Sequence, residues 1–183
     1  VCSSDLMRLS LNSQNAITFM ALGFVLNLLP RCQAGDWSYW RGPNFNGSVD
    51  ASQLPDDWDP EGGEGSNLLW VREDIGGPCT PIVMNGKLYT IQRSEPGTAR
   101  EGEKVVCLNA ATGETIWENR YNVWLSDVPA ERVGWSSVVG DPETGYVYVL
   151  GACDIFTCMN GETGETVWSR ALHEQFGMLS TYG

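Results

Sequence analysis

The sequence predicts an all-β fold: a β-propeller of four-stranded antiparallel blades, carried here as an N-terminal fragment with about two complete blades. Three observations lead there. NAATGETIW at 109–117 returns fifty-one positions later as NGETGETVW at 160–168, and the likeness reaches back to Cys107 and Cys158. Each copy is preceded by an apolar strand, a turn and a second apolar strand, PIVMNGKLYTIQ at 81–92 and SSVVGDPETGYVYVL at 136–150. A period of about 50 residues marks units that bury their faces only by stacking, and four short antiparallel strands at that period make a propeller blade. WD-type blades end in Trp-Asp, which neither copy does, and kelch blades carry paired glycines before their aromatic positions. An array of small sandwiches needs longer units and linkers.

Taken in order, residues 1–6 precede Met7 and read as a non-native leader, and 7–34 read as a signal peptide. Arg8 is its basic start, 17–29 its apolar run of 13 positions, and Cys32-Gln33-Ala34 puts small residues before a cleavage at Gly35. That run, interrupted by Asn27, is too short to span a bilayer. Acylation of Cys32 is the alternative; Arg31 stands where lipoprotein sites carry a small residue. The expected location is periplasmic or secreted, with no membrane span after cleavage. Residues 35–66 form an N-terminal extended segment and 67–183 a partial propeller: an outer strand at 67–72, blades at 79–120 and 136–170, and the start of a next blade at 171–183.

Within the first blade the pattern gives strands at about 79–84, 87–92, 104–109 and 115–120, and within the second at about 136–140, 146–151, 155–160 and 166–170. Asn85-Gly86 is a type I′ hairpin signal, because both central positions need positive φ. Asp141 and Glu143 read as residues of a longer turn. Asn109 and Asn160 can fold their amides onto the turn backbone, with Thr112 and Thr163 beside them, and Gly113 and Gly164 suit a left-handed position. Trp117 and Trp168 then anchor the outermost strands and pack on an adjacent unit. The stretch 93–104 interrupts the first blade where the second has a tight turn, as a solvated excursion or a partner contact. Trp124 and Trp135 flank a long link between blades, where they pack on the propeller face or line a pocket.

Formal net charge is −12. Loss of residues 1–34 takes Lys plus Arg from 11 to 9 and Asp plus Glu from 23 to 22, leaving −13. Such a surface repels phosphate backbones, so nucleic acid is not an expected partner. Of the four cysteines beyond the signal, Cys153 and Cys158 bracket an apparent hairpin tip and form the candidate disulfide, with free buried thiols as the alternative. The only histidine, His173, has no partner motif and no CxxC occurs, which leaves no zinc pattern.

The order apolar strand, turn, Val-Tyr-Val strand, then CLNAATGETIW resembles the PQQ-like (pyrroloquinoline quinone-like) β-propeller repeat of quinoprotein dehydrogenases and of the outer-membrane assembly propeller lipoprotein. DWSYWRGPNFNGS at 36–48, LPDDW at 54–58, NLLW at 67–70 and VGWSSVVGDPETGYVY at 133–148 resemble secreted bacterial propeller proteins of the same repeat. The resemblance implies a propeller of more blades than two, and a non-catalytic extracytoplasmic binding or scaffold role toward a protein or cell-envelope component. The alternatives it raises are part of a PQQ-dependent dehydrogenase, or the sensor domain of a larger secreted or signalling protein. The enzymes hold the quinone near the propeller axis beside calcium, with ligands from several blades and often adjacent cysteines. No Cys-Cys pair occurs, and the repeat residues have structural explanations, so no cofactor, metal or catalytic residue is expected in this fragment.

Overall fold

The computed structural model describes residues 35–52, 54–55, 58–63, 66–123 and 133–177. The leader, the signal segment, Trp124 and residues 178–183 lie outside them. Eight strands are described: β1 Ile82–Met84, β2 Lys87–Ser94, β3 Gly102–Asn109, β4 Thr115–Asn122, β5 Val139–Asp141, β6 Tyr146–Gly151, β7 Ile155–Asn160 and β8 Thr166–Ala171. They form two four-stranded antiparallel sheets, each in sequential order. The registers repeat: Cys107 faces Trp117 and Cys158 faces Trp168, and a bulge follows each cysteine, at Cys107/Leu108 and Cys158/Met159.

Period-two alternation gives each sheet two useful faces. Tyr89, Ile91, Val105 and Cys107 of the first blade and Val147 and Met159 of the second belong to one buried cluster between the sheets. Val106 and Leu108, on the opposite face of β3, are buried as well. Blade 1 is therefore covered on both sides, which is why β3 reads as a near-continuous apolar run. The inner strands meet closely: a β-carbon added at Gly140 would lie 2.9 Å from Met84 Sδ.

Several boundaries depart from the sequence expectation. β1 begins at Ile82 because Pro81, lacking an N–H, cannot donate to the ladder. β2 and β3 are longer than expected, since Arg93 pairs with Glu103 and Ser94 with Gly102, so the excursion shrinks to residues 95–101. Residues 67–72 are not a strand. After β8 the chain forms a single helical turn, α1 Leu172–Phe176, ended by Gly177 at φ 64°, where the start of a further blade was expected.

The N-terminal segment supplies an edge that the sequence did not announce. Trp37 forms an isolated bridge to Val83, with Trp37 N–H donating to the Val83 carbonyl at 2.7 Å and Val83 N–H returning at 3.0 Å. Gly140 N–H donates to the Ser38 carbonyl at 2.8 Å. The strap thus satisfies backbone groups on the inner edges of both blades, β1 and β5, which would otherwise stand open. Among the described residues no helix is long and apolar enough to cross a membrane.

Candidate functional site

The repeated residues assemble two identical turns and the seam between units. In the first, Asn109 Oδ1 accepts from the Ala111 and Thr112 N–H groups at 2.9 and 3.2 Å; in the second, Asn160 Oδ1 accepts from Glu162 and Thr163 at 2.8 and 3.2 Å. Thr112 and Thr163 accept through Oγ1 from the N–H two residues on, at 3.3 and 3.2 Å. Gly113 and Gly164, at φ 72° and 74°, close each turn by donating to the Asn109 and Asn160 carbonyls at 2.8 Å.

Each turn receives a tryptophan from the unit before it. Trp117 Nε1 donates to the Gly161 carbonyl at 2.9 Å, and its ring lies so close to Gly164 that an added β-carbon would sit 2.5 Å away. Trp70 repeats this on the first turn, donating to the Ala110 carbonyl at 3.0 Å and leaving 2.6 Å above Gly113. Two residues beyond each tryptophan a polar side chain completes the clasp. Arg72 reaches the Gly113 carbonyl at 2.7 Å and Thr115 Oγ1 at 3.2 Å; Asn119 reaches the Gly164 carbonyl at 2.8 Å and Thr166 Oγ1 at 3.3 Å. Segment 67–72 therefore takes the outer-strand role toward blade 1 without strand pairing. Trp168 occupies the equivalent place on blade 2, packed against Tyr148 and Phe156 with Arg170 over its ring.

At the opposite end of the sheets lie the β2–β3 and β6–β7 connections and the inter-blade link. Residues 95–101 form an ordered excursion: Arg93 pairs with Glu101 at 2.6 Å, Glu101 accepts from Gly97 N–H at 2.8 Å, and Arg100 pairs with Glu95 at 2.8 Å. Arg120 donates to Ser94 Oγ at 3.0 Å and also reaches the Arg100 carbonyl. The Gly97 N–H bond first, and then Arg93, hold the Glu101 carboxyl below its ordinary pKa. Beside this loop lies a cleft of about 480 Å³ walled by Asp74, Gly77, Pro78, Ser94, Lys104 and Val133. The Arg72 guanidinium bonded to Asp74 lowers that carboxyl to about 2.

Other expected positions are plain. Asp141 is a turn residue, accepting from Glu143 N–H at 3.0 Å and Thr144 Oγ1 at 2.7 Å. Trp135 is half exposed, and His173 lies 3.8 Å from Glu174 on α1. Cys153 and Cys158 are not cross-strand partners: the short 3-10 turn Ala152–Asp154 places Cys153 beyond the ladder, and Tyr148 stands opposite Cys158. Cys158 is a buried free thiol, and the Cys153 side chain lies outside the described residues. Burial raises the Cys158 thiol and lifts Cys107 to about 11.

Sequence reasoning missed Arg72, Asn119 and the strap residue Trp37. A polar side chain two places after each tryptophan was the available signal for the first two; Trp37 lies in no repeat and had none.

The family model described as outer membrane protein assembly factor BamB matches residues 101–178, which span the end of the excursion, β3, β4 and the whole of blade 2. No curated protein matches the chain. Over residues 101–178 the chain is similar to the PQQ-like propeller-repeat family.

Proposed function

We propose that the chain forms part of a non-catalytic, extracytoplasmic β-propeller that holds a protein or cell-envelope component, as a scaffold and not as an enzyme. The observation that carries this reading is the use of the repeat in architecture. Asn109, Thr112, Gly113, Asn160, Thr163 and Gly164 are consumed by their own turns, while Trp117 is consumed by the seam. The family description, an assembly factor, agrees with such a role.

Pyrroloquinoline quinone and calcium, which the repeat name brings to mind, do not fit the residues described. The repeat amide oxygens already accept two N–H bonds each, and the strap from Trp37 to Ser38 covers the inner edges of β1 and β5. The surface offered to a partner is the loop end, where ion pairs hold residues 95–101 in one shape beside the cleft. A rigid excursion binds at lower ordering cost than a mobile one.

Titration of the protein with pyrroloquinoline quinone and calcium, followed by absorbance and by dye-coupled alcohol or sugar oxidation, tests this reading. The expected result is neither stoichiometric binding nor turnover. Stoichiometric quinone uptake with turnover overturns it.

A further inference from the structure

Glu103 is 1% exposed, yet it sits at the loop end of the apolar seam between the blades. Its carboxylate spans three elements. From β3 of blade 1 it accepts the Gly134 N–H of the inter-blade link at 2.7 Å through Oε1, and the Ala152 N–H of the blade 2 hairpin tip at 3.0 Å through Oε2. The approach is possible because Gly151 has no side chain: a β-carbon there would lie 2.4 Å from Glu103 Oε2 and 2.6 Å from the Tyr121 hydroxyl. That hydroxyl is buried and makes no hydrogen bond of ordinary geometry, and the Glu103 carboxylate is the charged group it interacts with.

The charged and titratable neighbours are few. Tyr121 faces Glu103 from β4, and Asp154 lies buried in the adjoining 3-10 turn. Arg93, opposite Glu103 on β2, is paired with Glu101, and Lys104, next in sequence, with Glu118. Among the described residues no ion pair reaches Glu103. A carboxylate held only by dipoles in an apolar seam bears a desolvation cost that hydrogen bonds offset in part.

We propose that Glu103 is a proton-linked latch: one carboxyl group ties blade 1, the inter-blade link and the tip of blade 2 together, and its charge sets how firmly the loop end of the seam is held. Gly134 adjoins Val133, a wall of the cleft, so the latch also fixes one side of that cleft. Burial raises the pKa of Glu103, outweighing the bonds from the Gly134 and Ala152 N–H groups and the nearby Tyr121 hydroxyl that lower it. A raised folded-state pKa means that the folded protein holds this proton more tightly than the unfolded chain. The stability it contributes is complete below the unfolded value and is lost as pH rises through the folded value.

The test compares denaturant unfolding of the full chain with that of Glu103→Gln between pH 4 and pH 8. The folding constant of the wild type relative to the variant is expected to fall as pH rises, about tenfold for each unit by which the pKa is raised. A ratio constant with pH, or one that increases, overturns the proposal. Should the variant not fold, carbon-13 titration of the Glu103 carboxyl in the wild type decides. A midpoint above the ordinary glutamate range, with the Gly134 and Ala152 amide signals moving at that same midpoint, is expected. A midpoint at or below that range, or amides that do not move with it, overturns the latch.

Discussion

Gly164 shows how one missing side chain sets the spacing of two blades. Its φ of 74° disfavours any L-residue, and the Trp117 ring occupies the space a β-carbon would take. Gly145 has nearly the same backbone, φ 71°, with nothing within 4 Å of the missing atom. Gly145→Ala therefore carries backbone strain alone, about 1–2 kcal/mol. Gly164→Ala adds the displacement of Trp117 and is expected to cost about 2–4 kcal/mol in denaturant unfolding. Equal losses would mean that the tryptophan does not rest on the glycine. Cysteine chemistry is a second matter at this scale. With Tyr148, not Cys153, opposite Cys158, alkylation of the unfolded, unreduced protein is expected to label Cys158 as a thiol. A disulfide-linked peptide pair containing Cys153 and Cys158 contradicts that register. In the folded state Cys107, raised to about 11, is expected to react slowly at pH 8.

At the scale of elements, legibility followed periodicity. The strands of both blades lie close to their expected places because alternation, Asn85-Gly86 and the two Asn-x-x-Thr-Gly turns all state the same register. The bulges after Cys107 and Cys158 were not legible, since a one-residue slip between strands leaves no compositional mark. Residues 67–72 were recognised by their tryptophan but were expected to form a strand. Their hold on blade 1 comes instead through Trp70 and Arg72 side chains, which alternation does not encode. The strap at Trp37 and Ser38 was hidden for a related reason: it binds through main-chain groups, and any sequence has those. Glu103 was hidden more deeply, because the sequence places it in the 93–104 excursion, outside the expected strands. Only Gly151, at the end of β6 in the other blade, makes room for it.

For the molecule as a whole, one docking rule accounts for the stacking: a tryptophan and the polar residue two places on clasp the Asn-x-x-Thr-Gly turn of the next unit. It acts twice, from 67–72 onto blade 1 and from β4 onto blade 2. The inter-blade ion pair Lys87–Glu162, at 2.7 Å, has an exposed carboxylate and adds less than about 1 kcal/mol. The seam rests mainly on the apolar cluster and on this clasp. The scaffold reading depends on it, since residues committed to holding blades together are not free to hold a cofactor. The most direct measurement is the set of nuclear Overhauser contacts of the Trp117 indole in the folded chain. The account predicts contacts from its ring to the Gly164 α-protons and from its indole N–H to Gly161, alongside the local contacts of the Asn160 turn. A folded protein that keeps the turn contacts but shows Trp117 touching neither glycine would contradict it.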